Sequence, residues 1–288
     1  MKSKILYCIL MIAFLAGGMI SCTPSDGNGG SDNEGTPSGN KNLPLNVSIF
    51  IDLSHRIVEE SDGMRGFDKD TAIVNIITDY VSQNAFKHKI KFNKDHIKVF
   101  FHPAPTNSNS ANIAQQLEVS FADFSKNDIQ KKMDVASHLT ENFNGNLKSI
   151  YEAAIEQNNF IGSDIWGFFN TKAQKSCVMN GYRNILIVIT DGYIYHKDNL
   201  NEDKAQKQSS YITKRSLADG YSLMPVGKIN DLEVLMLELK TDPISDFEKM
   251  KSTISDWFDA IGVTNYDILQ TDLPANLKKQ ITDFLKGK

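Results

Sequence analysis

Two aspartates in this sequence stand where an apolar run stops, each close to a hydroxyl. Asp52 follows Val47-Ser48-Ile49-Phe50-Ile51 and precedes Leu53-Ser54-His55-Arg56. Asp191 follows Ile185-Leu186-Ile187-Val188-Ile189-Thr190 and precedes Gly192-Tyr193. Two carboxylates and two hydroxyls brought together form an oxygen-rich pocket, the donor set of a hard cation such as Mg²⁺. Asp52, Ser54 and Asp191 are the candidate ligands, and Arg56 decides between two outcomes. A guanidinium turned inward supplies the positive charge that both aspartates need and replaces the cation. Turned outward, it leaves Ser54, the aspartates and water to hold the metal.

Other chemistries lack their residues. The histidines His55, His88, His96, His102, His138 and His196 show no zinc-ligand spacing. His55 and His196 read as exposed loop residues at the same edge as the aspartates. No glycine-rich phosphate loop follows the first apolar run, and no G-x-S-x-G elbow occurs. An aspartyl-nucleophile phosphatase usually carries two aspartates there, and Ser54 stands in the place of the second. Cys177 reads as a small, half-buried thiol, with no His/Asn constellation to activate it.

The elements that must position Asp52 and Asp191 follow from the pattern. A short apolar run bounded by turn formers is a strand buried on both faces, which favours a parallel sheet. Further strands are expected at Ile97–His102, Leu232–Leu239 and Tyr266–Leu269. Ile73, Ile76, Ile77, Tyr80 and Val81 stripe a helix from about Asp68 to Asn84. Others are expected around Ile129–Leu139, from Leu147 to Gln157, over Ser163–Lys175 with Trp166 and Phe168 inward, and up to Leu217. Ser245-Asp246-Phe247-Glu248 is a capping box for the helix carrying Trp257 and Phe258, and Leu277–Leu285 closes the chain. Glu59–Phe67 and Pro103–Phe124 read as polar loops. Alternating strands and helices imply an α/β fold, a doubly wound and mostly parallel central sheet flanked by helices. Ligands bind such sheets at the carboxyl edge, where the strand order reverses.

Asp52-Leu53-Ser54, a later strand and Thr190-Asp191-Gly192 resemble the von Willebrand factor A domain and its metal-ion-dependent adhesion site. That family uses Asp-x-Ser-x-Ser after the first strand, a threonine in a middle loop and an aspartate after the fourth strand. Here Arg56 replaces the second serine, and the nearest equivalents of the threonine are Asn146 and Thr140. Asn146 could offer a carbonyl oxygen, or simply cap a helix. The resemblance implies a partner-binding surface at Ser54, His55, Arg56, Asn146, Gly192 and Tyr193, and no catalysis. The alternatives are a metal-dependent hydrolase using Asp52 and Asp191, and a structural component of an envelope complex.

The chain has 288 residues, a net charge of -4 and ordinary globular composition. No basic stripe points to nucleic acid. Lys2, Lys4 and the apolar Ile5–Leu15 read as a secretory signal, too short for a comfortable membrane span. Met19-Ile20-Ser21-Cys22 resembles a lipobox, which implies acylation of Cys22. The expected organisation is a lipoprotein signal peptide over 1–21, a flexible acidic tether over 22–43 and the folded domain over 44–288. Ser25-Asp26 and Ser31-Asp32-Asn33-Glu34 resemble the acidic tract that directs some Gram-negative lipoproteins to the cell surface. An outer-membrane or cell-surface location follows as the expectation.

Overall fold

The computed structural model describes residues 43–160, 162–196, 210–211, 227–240 and 247–288. The signal segment, the tether before Leu43, the polar helix ending near Leu217 and the first half of the capping box lie outside these residues. All seven side chains of β1 (Leu45–Ile51) and of β7 (Arg183–Ile189) are buried. Their apolar residues alternate between two cores. Val47, Ile49 and Ile51 with Ile185, Ile187 and Ile189 face one, while Phe50, Leu186 and Val188 face the other. Each of these side chains, fully buried, contributes about 1.5–3 kcal/mol. Ile49–Ile51 and Ile185–Ile189 are thus apolar toward both faces, as a central strand requires.

Four more strands complete the sheet: β4 (His96–Phe100), β5 (Glu118–Ser120), β10 (Leu232–Leu239) and β11 (Asn265–Gln270). Their order is β11-β10-β7-β1-β4-β5, all parallel except β5, which runs antiparallel to β4. From β1 the chain winds outward through β4 to β5, returns beside β1 as β7, and winds outward the other way. The order thus reverses between β1 and β7, where Ile51 sits opposite Ile189.

The first core is covered by α1 (Gly66–Lys87), α4 (Leu139–Glu156) and α8 (Pro274–Lys286), and receives Ile73, Ile77, Leu147, Ile150, Leu277 and Ile281. The second is covered by α7 (Phe247–Ile261) and by the helical stretch of α5 (Ile165–Phe168), a π turn (Phe169–Ala173) and α6 (Gln174–Ser176). Phe168 is fully buried there, while Trp166 is only partly covered.

Three stretches differ from the sequence pattern. Pro103–Phe124 contains α2 (Ser108–Gln115), opened by Asn107 accepting from Asn109 N and Ser110 N, and the three-residue β5. Glu59–Phe67 is a hairpin, β2 (Glu60–Ser61) with β3 (Met64–Arg65), turning through Asp62-Gly63 at φ 57° and 75°. Both positive angles suit an Asp-Gly turn. Finally α4 begins at Leu139, directly after α3 (Ile129–Ser137), so Asn144-Gly145-Asn146 lies inside a helix. Beyond the main sheet, β6 (Gly162–Ser163), β8 (Tyr193–His196) and β9 (Ser210–Tyr211) form a small antiparallel one.

Candidate functional site

The reversal between β1 and β7 brings the two sequence motifs together. Asp52 N donates to Ile189 O at 3.1 Å, extending the strand pairing by one residue. The Asp52 carboxylate, wholly buried, then accepts from Ser54 N at 2.9 Å and from the Thr190 hydroxyl at 2.8 Å. Thr190 Oγ1 in turn accepts from Gly192 N at 3.1 Å, and Asp191 Oδ1 accepts from Tyr193 N at 2.8 Å. Gly192 has φ 83°, and a Cβ there would lie 2.8 Å from Met250 Sδ. The turn that presents Asp191 therefore requires glycine.

Arg56 points inward. Its side chain, only 7% exposed, donates to both oxygens of Asp70 at 3.0 and 2.8 Å and to Ile189 O at 3.2 Å. Its Nε lies 3.7 Å from Asp52 Oδ2. The backbone around Arg56 is set by α1, because a Cβ on Gly66 would come within 2.3 Å of Arg56 O. Tyr151 Oη, from α4, donates to Asp70 Oδ2 at 3.0 Å. Burial opposes charge on Arg56, but Asp70 first and Asp52 next hold the guanidinium firmly protonated. Burial also pushes Asp70 upward while Arg56 draws it back. A guanidinium that cannot lose its proton, held in bidentate geometry, keeps the pair ionised. Burial, and then Asp70, raise the Tyr151 phenol, which stays a neutral donor.

Asp191 stands apart from this inner network, half-buried at its mouth. Burial first and the Asp52 charge second push its carboxyl up to about 7, with Arg56 pulling the other way. It borders a small cleft of about 30 Å³ with Arg56, Glu59, Lys69, Glu238 and Lys240. That is room for one or two waters. Lys69, almost wholly buried, reaches Asp62 at 3.0 Å, Thr271 Oγ1 at 3.1 Å and Glu238 at 3.8 Å. Glu238 sits at φ 67° in an irregularity of the β10–β11 pairing, with Oε1 buried and unpartnered. Strained backbone of this kind clusters at functional sites.

The expected site residues divide. Asp52, Ser54, Arg56, Asp191, Gly192 and Tyr193 are brought to one edge. His55 is exposed there, 3.7 Å from Glu59 and edge-on to the Phe160 ring. Asn146 is not part of the site. It lies mid-α4, five residues before Tyr151, hence about 7.5 Å back along the axis and roughly 140° round it. Tyr151 is the α4 residue that reaches in. Thr140 donates to Asp79 on the exposed surface instead. Asp70, Lys69, Tyr151 and Glu238 were missed. Asp70 was open to detection, since it falls three and seven residues before Ile73 and Ile77 on one helical stripe, a charge where the pattern requires an apolar residue.

The donor set does not fit Mg²⁺ at Asp52, Ser54 and Asp191. Both Asp52 oxygens already accept hydrogen bonds, and the guanidinium occupies the positive position a cation would take. A divalent ion there would meet a fixed like charge at close range. Among the described residues no cluster of three His, Cys, Asp or Glu has metal-holding geometry. What the fold and site define is an open, doubly wound α/β domain whose switch point holds a buried cluster of carboxylates around the Arg56 guanidinium.

No family model matches the chain, and no curated protein does. Among solved structures it is similar to the pilus adhesin SpaC from Lactobacillus rhamnosus GG, with 12% identity and a TM-score of 0.41. The match covers 84% of this chain and 30% of the adhesin, so the chain spans under a third of that protein's length. A likeness at this level bears on neither mechanism nor partner.

Proposed function

We propose that the chain is a lipid-anchored envelope or surface binding module, built on a von Willebrand factor A-like domain. It recognises a protein or surface partner at the carboxyl edge of its sheet, without a cation and without chemistry. The observation that carries this reading is the inward Arg56, paired with Asp70 and set against Asp52 in the cation's place. The strand order, the single antiparallel edge strand and an Asp-x-Ser after the first strand support the family assignment. So does Thr190-Asp191-Gly192 after β7, the fourth strand of the main sheet in chain order. The apolar segment ending at Cys22 supports the anchor, and no helix among the described residues is long and apolar enough to cross a membrane.

A photo-crosslinking residue placed at His55 tests the reading in cells. The captured partner should be the same with and without EDTA, and Arg56→Ala should lower capture by at least about tenfold, the size of a strong interface truncation. Capture abolished by EDTA and strengthened by Arg56→Ser would establish a metal-dependent site instead. One feature favours the hydrolase alternative, a half-buried carboxyl at a cleft mouth that burial and then Asp52 push up, which suits acid–base work. Ester or phosphate turnover that disappears in Asp191→Asn would select that alternative.

A further inference from the structure

The opposite end of the sheet carries a feature that the carboxyl-edge site does not use. Residues 86–94 read Phe-Lys-His-Lys-Ile-Lys-Phe-Asn-Lys, four lysines in nine residues with no acidic one. Phe86, Lys87, His88, Lys89, Lys91, Phe92 and Lys94 are all exposed. Phe92 is 59% and Phe86 42% exposed, among the largest apolar exposures in the described residues, and Leu43 is 37% exposed. Helix C-termini favour cations, which accounts for Lys87 in the last turn of α1. It does not account for Lys89, Lys91 and Lys94, nor for two phenylalanines left in water.

The segment is pinned from beneath. Asn93 and Asn84 both donate to Asp95 Oδ2 at 2.8 Å, and Asp95 Oδ1 accepts from Leu45 N at 2.8 Å. Lys132, from α3, donates to the Asn93 carbonyl. Asp95, beneath the segment, is thus buried and held by neutral donors rather than by an ion pair with one of the exposed lysines. Phe92 and the lysines 87, 94 and 286 border a cleft of about 420 Å³ that also includes Leu43. Leu43 is where the 42 preceding residues join the domain.

We propose that this face docks on an anionic lipid surface, with Phe86 and Phe92 entering the interface and Lys87, Lys89, Lys91 and Lys94 meeting headgroup phosphates. Aromatic rings interleaved with lysines bind such surfaces by apolar burial plus attraction to anionic lipid. Leu43, the first described residue, lies on the same face. Were Cys22 acylated, 20 residues of sequence, Thr23 to Asn42, would separate the anchor from Leu43. The carboxyl-edge site, at the other ends of the same strands, would then point away from the membrane. The proposal does not itself require the acyl chain.

Both cores lie wholly between Leu45 and Leu285, so a chain starting at residue 22 with Cys22→Ser serves as the unacylated protein. It should sediment with vesicles containing phosphatidylglycerol and not with pure phosphatidylcholine, and high salt should release it. Replacing the four lysines by glutamine should weaken binding at least about tenfold, given roughly 1 kcal/mol per basic residue at an anionic surface. Phe86→Ser with Phe92→Ser should weaken it several-fold at unchanged charge. With Phe92→Trp, emission should move to the blue and be quenched by brominated lipid on anionic vesicles only, a readout that needs no loss of function. Equal binding to neutral vesicles, undiminished binding by the lysine variant, or unshifted emission from the Phe92→Trp variant overturns the proposal. So does release by inorganic phosphate at matched ionic strength, which would make the cleft a small-anion site.

Discussion

The two ends of the central sheet both bury polar and charged side chains, but they use them differently. At the amino ends of the strands, Arg183 donates to both oxygens of Glu233 at 2.7 and 2.6 Å and to the Leu285 and Phe284 carbonyls, closing the end of α8. Asn46 binds the Cys177 carbonyl, Asn184 and His96, and Asn184 accepts from Met179 N. Every one of these groups serves the backbone or a neighbouring element. At the carboxyl ends, Arg56 Nε and Glu238 Oε1 are buried without a hydrogen-bond partner, and Glu238 is strained. Carboxylates there crowd one another rather than a helix end. One end is arranged for stability, the other against it.

This contrast can be broken most strongly at Arg183. Arg183→Ala leaves Glu233 and two helix-terminal carbonyls behind, and should cost about 3–5 kcal/mol, as truncation of one partner in a buried pair does. Denaturant unfolding measures it. A loss under 1 kcal/mol, on the order of a surface pair, would erase the distinction between the two ends. The second test removes both partners at the other end. Arg56→Met with Asp70→Leu should leave stability within about 1 kcal/mol or raise it, because a buried ion pair is often replaceable by apolar packing. The same double variant should lose partner capture. A severe loss of stability would mean that the carboxyl-edge pair is structural as well.

The smallest effect is expected at Asp191. An unfolded aspartate titrates near about 3.9, and the folded one near 7. The folded state therefore holds the extra proton between these values. Its contribution to stability is complete below about pH 4 and declines as pH rises through 7. Asp191→Asn should remove that dependence and stabilise the protein by about 1–3 kcal/mol at pH 8, with little change at pH 4. Thermal unfolding across that range checks it, and an unchanged pH profile would mean that Asp191 is well solvated in the native protein.

Much of this arrangement was legible in the residues, because burial leaves a plain mark on composition. The apolar runs before Asp52, broken by Ser48, and before Thr190 required central strands, and polar residues at their ends required an edge. The Asp-Gly turn at 62–63 was equally legible, a hairpin signal within a stretch whose polarity alone reads as loop. Asn146 misled for a physical reason. Asn144, Gly145 and Asn146 are poor helix formers, but Leu139, Phe143, Leu147, Ile150, Tyr151 and Ala154 form a buried stripe that overrides them. The Arg56–Asp70 pair could not be read at all, since its partners meet only when α1 packs against β1. Nor could β5 be read, since three residues carry no periodicity. The basic segment at 86–94 did not stand out as a stripe in the residues, and its exposure gave it meaning.

That three-residue strand has one more consequence. It leaves the main sheet ending in a rung too short to template another strand, with Glu118 drawn into contacts with Lys98 at 2.7 Å and His96 at 3.0 Å. The far margin, β11, turns Asn265 and Asp267 to solvent. Short or charged margins resist the backbone zippering by which open sheets join one another. Copies of the domain brought close together would therefore not join through the margins of this sheet.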